Sequence, residues 1–172
     1  DVLINGNQRA SKFTAIEAQN FALDWELVEH QSNTGSGFSG TLFRAKRTNS
    51  QLGIQAGELV ISFRSTEFAD DYVRDQRATN QLEIRKHGYA FGQISDMQTW
   101  YESLKSRGLL NNPLGKMAKV SVTGYSLGGH LATAFNQLRE EDKSRQVSID
   151  ETYTYNGAGV GQVKDGETLT SA

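Results

Sequence analysis

Residues 120–130 read Val-Ser-Val-Thr-Gly-Tyr-Ser-Leu-Gly-Gly-His and constrain this chain more than any other stretch. The alternating Val120-Ser121-Val122-Thr123 run predicts a strand, and Leu131-Ala132-Thr133-Ala134-Phe135 predicts a helix. Between them stands Gly124-Tyr125-Ser126-Leu127-Gly128, a G-x-S-x-G pentapeptide in the strand-turn-helix setting that a nucleophile elbow requires. Such a turn thrusts the serine out at its apex. The flanking glycines let strand and helix pass closely. A pentapeptide alone would also suit an ordinary turn serine, but the strand before it and the helix after it both agree with the elbow.

The rest of the chain supplies a frame for that turn. Leu59-Val60-Ile61-Ser62-Phe63 is a short, nearly continuous apolar run, as expected of a strand buried on both faces in the middle of a sheet. Ile94, Met97, Trp100, Tyr101 and Leu104 recur at helical spacing between Tyr89 and Ser106, with Gly108 as the stop. Thr152–Tyr155 predicts a further strand that Asn156-Gly157-Ala158-Gly159 ends. Upstream, Thr14 and Glu17 form a capping-box signature for a helix. Ile16, Ala18, Phe21, Ala22 and Trp25 are expected on its inner face. Trp25 to His30 and Phe38 to Lys46 flank the turn 33–37 and predict a hairpin. Ala69 to Arg77 would make a short polar helix. Strand and helix alternate from Leu59 onward, so the expected class is α/β, a mostly parallel sheet flanked by helices, preceded by a helix and a β-hairpin.

Bulk properties narrow the function classes. With 172 residues, 37% hydrophobic and 22% charged, the chain has the size and composition of one globular domain. The net charge of −2 gives no electrostatic reason to expect a nucleic-acid partner or a polybasic membrane anchor. With no cysteine, disulfides, thiolate metal sites and a cysteine nucleophile are excluded. Asp70-Asp71 and Glu140-Glu141-Asp142 read as solvated charge runs, so no metal or cofactor is expected. A chain that opens on Asp1 is expected to have been processed or excised from something longer.

A hydroxyl is a poor nucleophile and needs a base within reach, together with donors aimed at the developing oxyanion. The elbow offers the backbone N–H of Leu127, at the positive end of the following helix. The second donor is expected from the loop after an earlier central strand, and Phe63-Arg64-Ser65-Thr66 is the segment in that position.

These landmarks resemble the class 3 lipases, the α/β-hydrolases that include fungal triacylglycerol lipases and relatives acting on phospholipids or feruloyl esters. Phe63-Arg64-Ser65-Thr66 resembles the family's F-R-G-[ST], and Asp71-Tyr72-Val73-Arg74-Asp75 its aromatic and acidic pattern. Val122 to His130 resembles its V-T-G-H-S-L-G-G-A elbow, and Gly88-Tyr89 its Gly-aromatic pair. The resemblance covers about Leu59 to Gly161. It implies ester hydrolysis through an acyl-enzyme, with Ser126 as nucleophile and Thr66 and Leu127 forming the oxyanion hole. It also implies an ester or lipid substrate, transient contact with a lipid interface, and a secreted protein. Residues Glu67 to Thr79, with Phe68 and Tyr72, would be either a lid or a solvated surface helix.

Four positions depart from the pattern. Ser65 stands for Gly, and His130 for a small residue. Tyr125 stands for the His that packs behind the elbow. Tyr155-Asn156-Gly157-Ala158 stands for F-G-x-P. These differences suit a divergent bacterial-type branch.

In α/β-hydrolases the triad runs Ser, acid, His along the chain. After Ser126 the sequence offers only His130, whose side chain would leave the helix body away from the loop side, in a packed or solvent-facing role. His30 and His87 precede the nucleophile. Asp142 and Asp150 suit the surface, and Asp165 has no histidine to orient. A complete fold of this type needs on the order of 250 residues. The expectation is therefore the N-terminal part of a lipase-like domain, with catalytic Asp and His in a C-terminal remainder of the same protein. The alternatives are a non-catalytic relative serving as a binding or scaffold domain, and another serine hydrolase such as a phospholipase A1, thioesterase or peptidase.

Overall fold

A computed structural model describes residues 13–65, 84, 88–112, 115, 118–142, 147–157 and 159–161. Helix α1 (Ala15–Asp24) leads into strands β1 (Trp25–Gln31), β2 (Gly40–Ala45) and β3 (Leu59–Phe63). Helix α2 (Phe91–Ser106), β4 (Lys119–Tyr125), α3 (Leu127–Glu141) and β5 (Ser148–Tyr155) follow. The five strands form one sheet in sequence order. β1–β2 and β2–β3 pair antiparallel, whereas β3–β4 and β4–β5 pair parallel. The fold is thus α/β, but its sheet is mixed rather than mostly parallel. The cause is that the hairpin joins the same sheet, through β2 lying antiparallel along β3.

Register decides the faces. Leu42, Ile61 and Val122 are successive cross-strand partners and share one face. On that face α2 and α3 bury an aromatic chain. Phe63 lies 5.7 Å from Phe135 and 6.5 Å from Trp100, and Tyr101 meets Phe135 edge-on at 5.2 Å. Each such ring contributes roughly 1.5–3 kcal/mol by leaving water, which is why the Trp100, Tyr101 and Leu104 stripe of α2 turns inward. On the opposite face Phe21 of α1 packs edge-on against Phe43 of β2 at 5.5 Å. Helices therefore flank the sheet on both sides, and the site-bearing strands sit against α2 and α3.

The capping box of α1 forms as expected: Thr14 Oγ1 accepts from Glu17 N, and the Glu17 carboxylate accepts from Thr14 N. The expected inner face needs correction. Ala18 and Ala22 are buried, but Ile16 is 70% exposed and Trp25 already belongs to β1. The helix stops at Asp24 because Lys46 closes it, its backbone N–H bonding Asp24 O and its ammonium bonding Ala22 O. Half-buried Phe21 completes the inner face by packing against Phe43 and Trp25.

Asp24 is buried and accepts from Arg47 Nε at 2.6 Å and Asn49 Nδ2 at 3.2 Å, tying the end of α1 to the loop after β2. The Arg47 hydrogen bond holds its carboxyl below the usual aspartate value, outweighing the effect of burial. A carboxyl depressed in the folded state contributes stability above its unfolded pKa of about 3.9 and loses it as the pH falls further. The gap in urea midpoint between wild type and Asp24→Asn is therefore expected to be widest above pH 5 and to close below about pH 4. A gap that stays constant between pH 6 and pH 3 would contradict this role.

Candidate active site

Ser126 is the single residue between β4 and α3, and its backbone stands at φ 54°, ψ −118°. A side chain with positive φ is strained, at a cost of order 1–3 kcal/mol, and persists only where its surroundings enforce it. Here they do. The Ser126 N–H donates to Tyr155 O at 2.8 Å, and its carbonyl accepts from His130 N at 3.2 Å.

The first turn of α3 is wedged between three strand ends. A Cβ on Gly124 would sit 2.1 Å from Gly128 O, and one on Gly128 would sit 2.3 Å from Phe63 O. Only hydrogen at these positions lets α3 start where it does. This close approach also lays the α3 N-terminus, with its outward backbone amides at Leu127 and after, against the peptide that continues from β3 into Arg64. The Arg64 N–H bonds Ser39 O at 3.1 Å, and its guanidinium donates to Asn33 Oδ1, so the hairpin holds the start of that segment. Ser126 and Leu127 are thus brought together at the carboxyl ends of β3 and β4, where parallel α/β sheets bind their ligands.

The strain has a measurable consequence. Ser126→Gly is expected to be more stable than Ser126→Ala by about 1–2 kcal/mol, because glycine adopts this backbone freely and alanine does not. For a domain of this size that is a Tm difference of about 2–8 °C. Equal melting temperatures for the two variants would mean that the turn is relaxed.

His130 is fully buried, and both ring nitrogens are engaged. Nε2 accepts from the Ala90 N–H at 3.2 Å, which fixes the proton on Nδ1, and Nδ1 donates to Gly159 O at 3.2 Å. The ring clamps α3 to the start of α2 and to the segment after β5. Beside it the Tyr89 hydroxyl donates to Gly161 O at 2.8 Å, and burial pushes that phenol above its ordinary pKa. His130 is therefore a packed helix residue. His30 lies on β1, three strands from β4, or roughly 14 Å at a 4.8 Å strand spacing, and its Nδ1 bonds Thr41 Oγ1. Neither described histidine stands where it could take a proton from Ser126.

Asp150 pairs with Lys119 at 2.9 Å on the surface, whereas Asp142, half-buried after α3, lies 3.9 Å from the buried guanidinium of Arg139. Tyr125 does not pack behind the elbow as the resemblance implies. It is 55% exposed, because its side chain takes the sheet face opposite α3. Thr66, His87, Asp165 and the segment Glu67 to Thr79 lie outside the described residues. Among the described residues no three histidine or acidic side chains converge as metal ligands would.

Asn156, in the turn that ends β5, has the other positive φ among described non-glycine residues, 47°. Its Asn-Gly pair marked a turn. Nothing local indicated that the turn abuts Ser126.

No protein-family model matches the chain, and no curated protein matches it. Among solved structures it is similar to a deletion mutant of a Rhizomucor miehei lipase propeptide complex, with 14% identity and a TM-score of 0.35. The match covers 82% of this chain and 41% of that one, so this chain spans about two fifths of that chain's length.

Proposed function

We propose that this chain carries the nucleophile half of a serine ester hydrolase of the class 3 lipase type, an α/β-hydrolase, with Ser126 attacking the carbonyl of an ester or lipid substrate. The observation that carries the reading is the strained Ser126 backbone, held at the tip of an elbow that the close contacts at Gly124 and Gly128 enforce. Attack by Oγ forms a tetrahedral oxyanion, which the Leu127 N–H and the backbone and hydroxyl of Thr66 stabilise. Collapse expels the alcohol and leaves an acyl group on Ser126, and water then releases the acid. The mechanism also calls for a base and an orienting carboxylate, in the chain order Ser, acid, His. Thr66 enters by its place in the Phe63–Thr66 motif, and Leu127 by its place in the elbow.

A scaffold role for the elbow is the competing reading, favoured by the engagement of both His130 nitrogens elsewhere. The identity of residue 126 weighs against it. A turn kept for packing alone would be relieved by glycine, whereas a serine here retains strain and gains only a hydroxyl.

Hydrolysis of p-nitrophenyl esters of graded chain length by the full-length protein tests the proposal. Turnover that depends on Ser126 and varies with acyl length is expected. Absence of turnover across the series, or turnover that survives Ser126→Ala, would contradict it.

A further inference from the structure

We infer that Asn156 is a positioning residue for Ser126, acting through the peptide it shares with Tyr155; this rests on the reading of Ser126 as nucleophile. Ser126 and Asn156 are the non-glycine residues with positive φ among those described. They directly follow Tyr125 and Tyr155, which are register partners on adjacent parallel strands. The carbonyl that receives the Ser126 N–H belongs to Tyr155, in the same rigid peptide plane as the Asn156 nitrogen.

The φ of Asn156 therefore sets the direction the chain takes immediately after that bond. A left-handed turn there carries Gly157 beneath the first turn of α3, where a Cβ on Gly129 would come within 2.8 Å of the Gly157 Cα. An extended residue at 156 would pull the chain away from α3 and draw the Tyr155 carbonyl off the Ser126 amide. With that bond gone, the Ser126 amide loses its anchor to β5, and Oγ loses its fixed aim.

Asn156 is exposed, so its side chain fills no core. What distinguishes asparagine is its tolerance of the left-handed region, which most residues enter at a cost of about 1 kcal/mol or more. Glycine and aspartate share that tolerance, and alanine does not. The inference thus predicts which substitutions preserve function, by backbone preference and not by side-chain chemistry.

The test reads the Ser126 amide directly. In Asn156→Ala, hydrogen exchange at Ser126 N–H, followed by NMR relative to Val122 as an internal reference, is expected to accelerate about fivefold, the equivalent of ~1 kcal/mol at 1.36 kcal/mol per decade. Asn156→Gly and Asn156→Asp are expected to restore wild-type exchange. In the full-length protein, kcat for p-nitrophenyl butyrate should fall by about the same factor in Asn156→Ala with KM unchanged, and recover in Asn156→Gly. Unchanged Ser126 exchange in Asn156→Ala would overturn the inference. So would an Asn156→Gly variant as impaired as Asn156→Ala, which would mean that the carboxamide itself is what matters. Turnover persisting in Ser126→Ala would instead sink the nucleophile assignment, and the exchange measurement would still decide the role of Asn156.

Discussion

Gly124→Ala is expected to cost ~4 kcal/mol or more, enough to remove the native elbow, because nothing around the new methyl can yield. The Cβ would stand 2.1 Å from Gly128 O, 2.2 Å from Gly128 C and 2.7 Å from Gly129 N, all backbone atoms of α3. A flexible side chain could swing aside, but a helix can move only as a whole. Moving α3 outward would break its packing on β4 and pull Phe135 off Phe63 and Tyr101. Losses of this size are exceptional for one methyl group and signify a backbone clash at the core. At about 2–4 °C per kcal/mol, the melting temperature should fall by at least about 8 °C. Gly35→Ala is the matched control, since a Cβ there meets nothing within 4 Å, and it should stay within about 0.5 kcal/mol of wild type. A Gly124→Ala variant as stable as Gly35→Ala would show that α3 does not start where the contacts at Gly124 require.

The second large effect is chemical. Ser126→Ala removes Oγ while keeping the backbone and both hydrogen bonds of residue 126, so stability should change little. Activity should not survive. Removing the nucleophile from a complete triad costs on the order of 10⁶-fold in kcat, and oxyanion donors alone leave a residual rate. For the full-length protein we expect ester hydrolysis to fall by at least about 10³-fold, ~4 kcal/mol of lost transition-state stabilisation. Stopped-flow or steady-state assays with p-nitrophenyl esters measure this directly. A decrease of less than tenfold would mean that hydrolysis proceeds without Ser126.

What the sequence revealed, and what it did not, follows from the range of each interaction. The Thr14–Glu17 capping box was legible because its partners are three residues apart. The elbow was legible because strand, turn and helix are contiguous, and β3 because a short apolar run stands between polar loops, although only Leu59, Ile61 and Phe63 are buried while Val60 and Ser62 on the other face are half-buried. The inward stripe of α2 followed from helical periodicity alone. Long-range pairing was not legible. Nothing in residues 25–45 announces that their hairpin continues the sheet of β3, since that depends on the register of Leu42 against Ile61. Helical periodicity alone puts Ile16 inward, yet it is 70% exposed, because the face of α1 that meets the sheet runs along Ala18, Phe21 and Ala22. Sequence leaves His130 either packed or solvent-facing, because the partners that bury it, Ala90 and Gly159, are 40 and 29 residues away. Asn156 could be read only as a turn, because its significance lies in where the Tyr155 carbonyl points.

The most direct test of the central claim is to treat the full-length protein with a fluorophosphonate ester, digest it and locate the adduct by mass spectrometry. One stoichiometric adduct is expected on the Ser126 hydroxyl, absent from Ser126→Ala and absent after unfolding. An adduct on another residue, or a folded protein whose Ser126 remains unmodified, would contradict it.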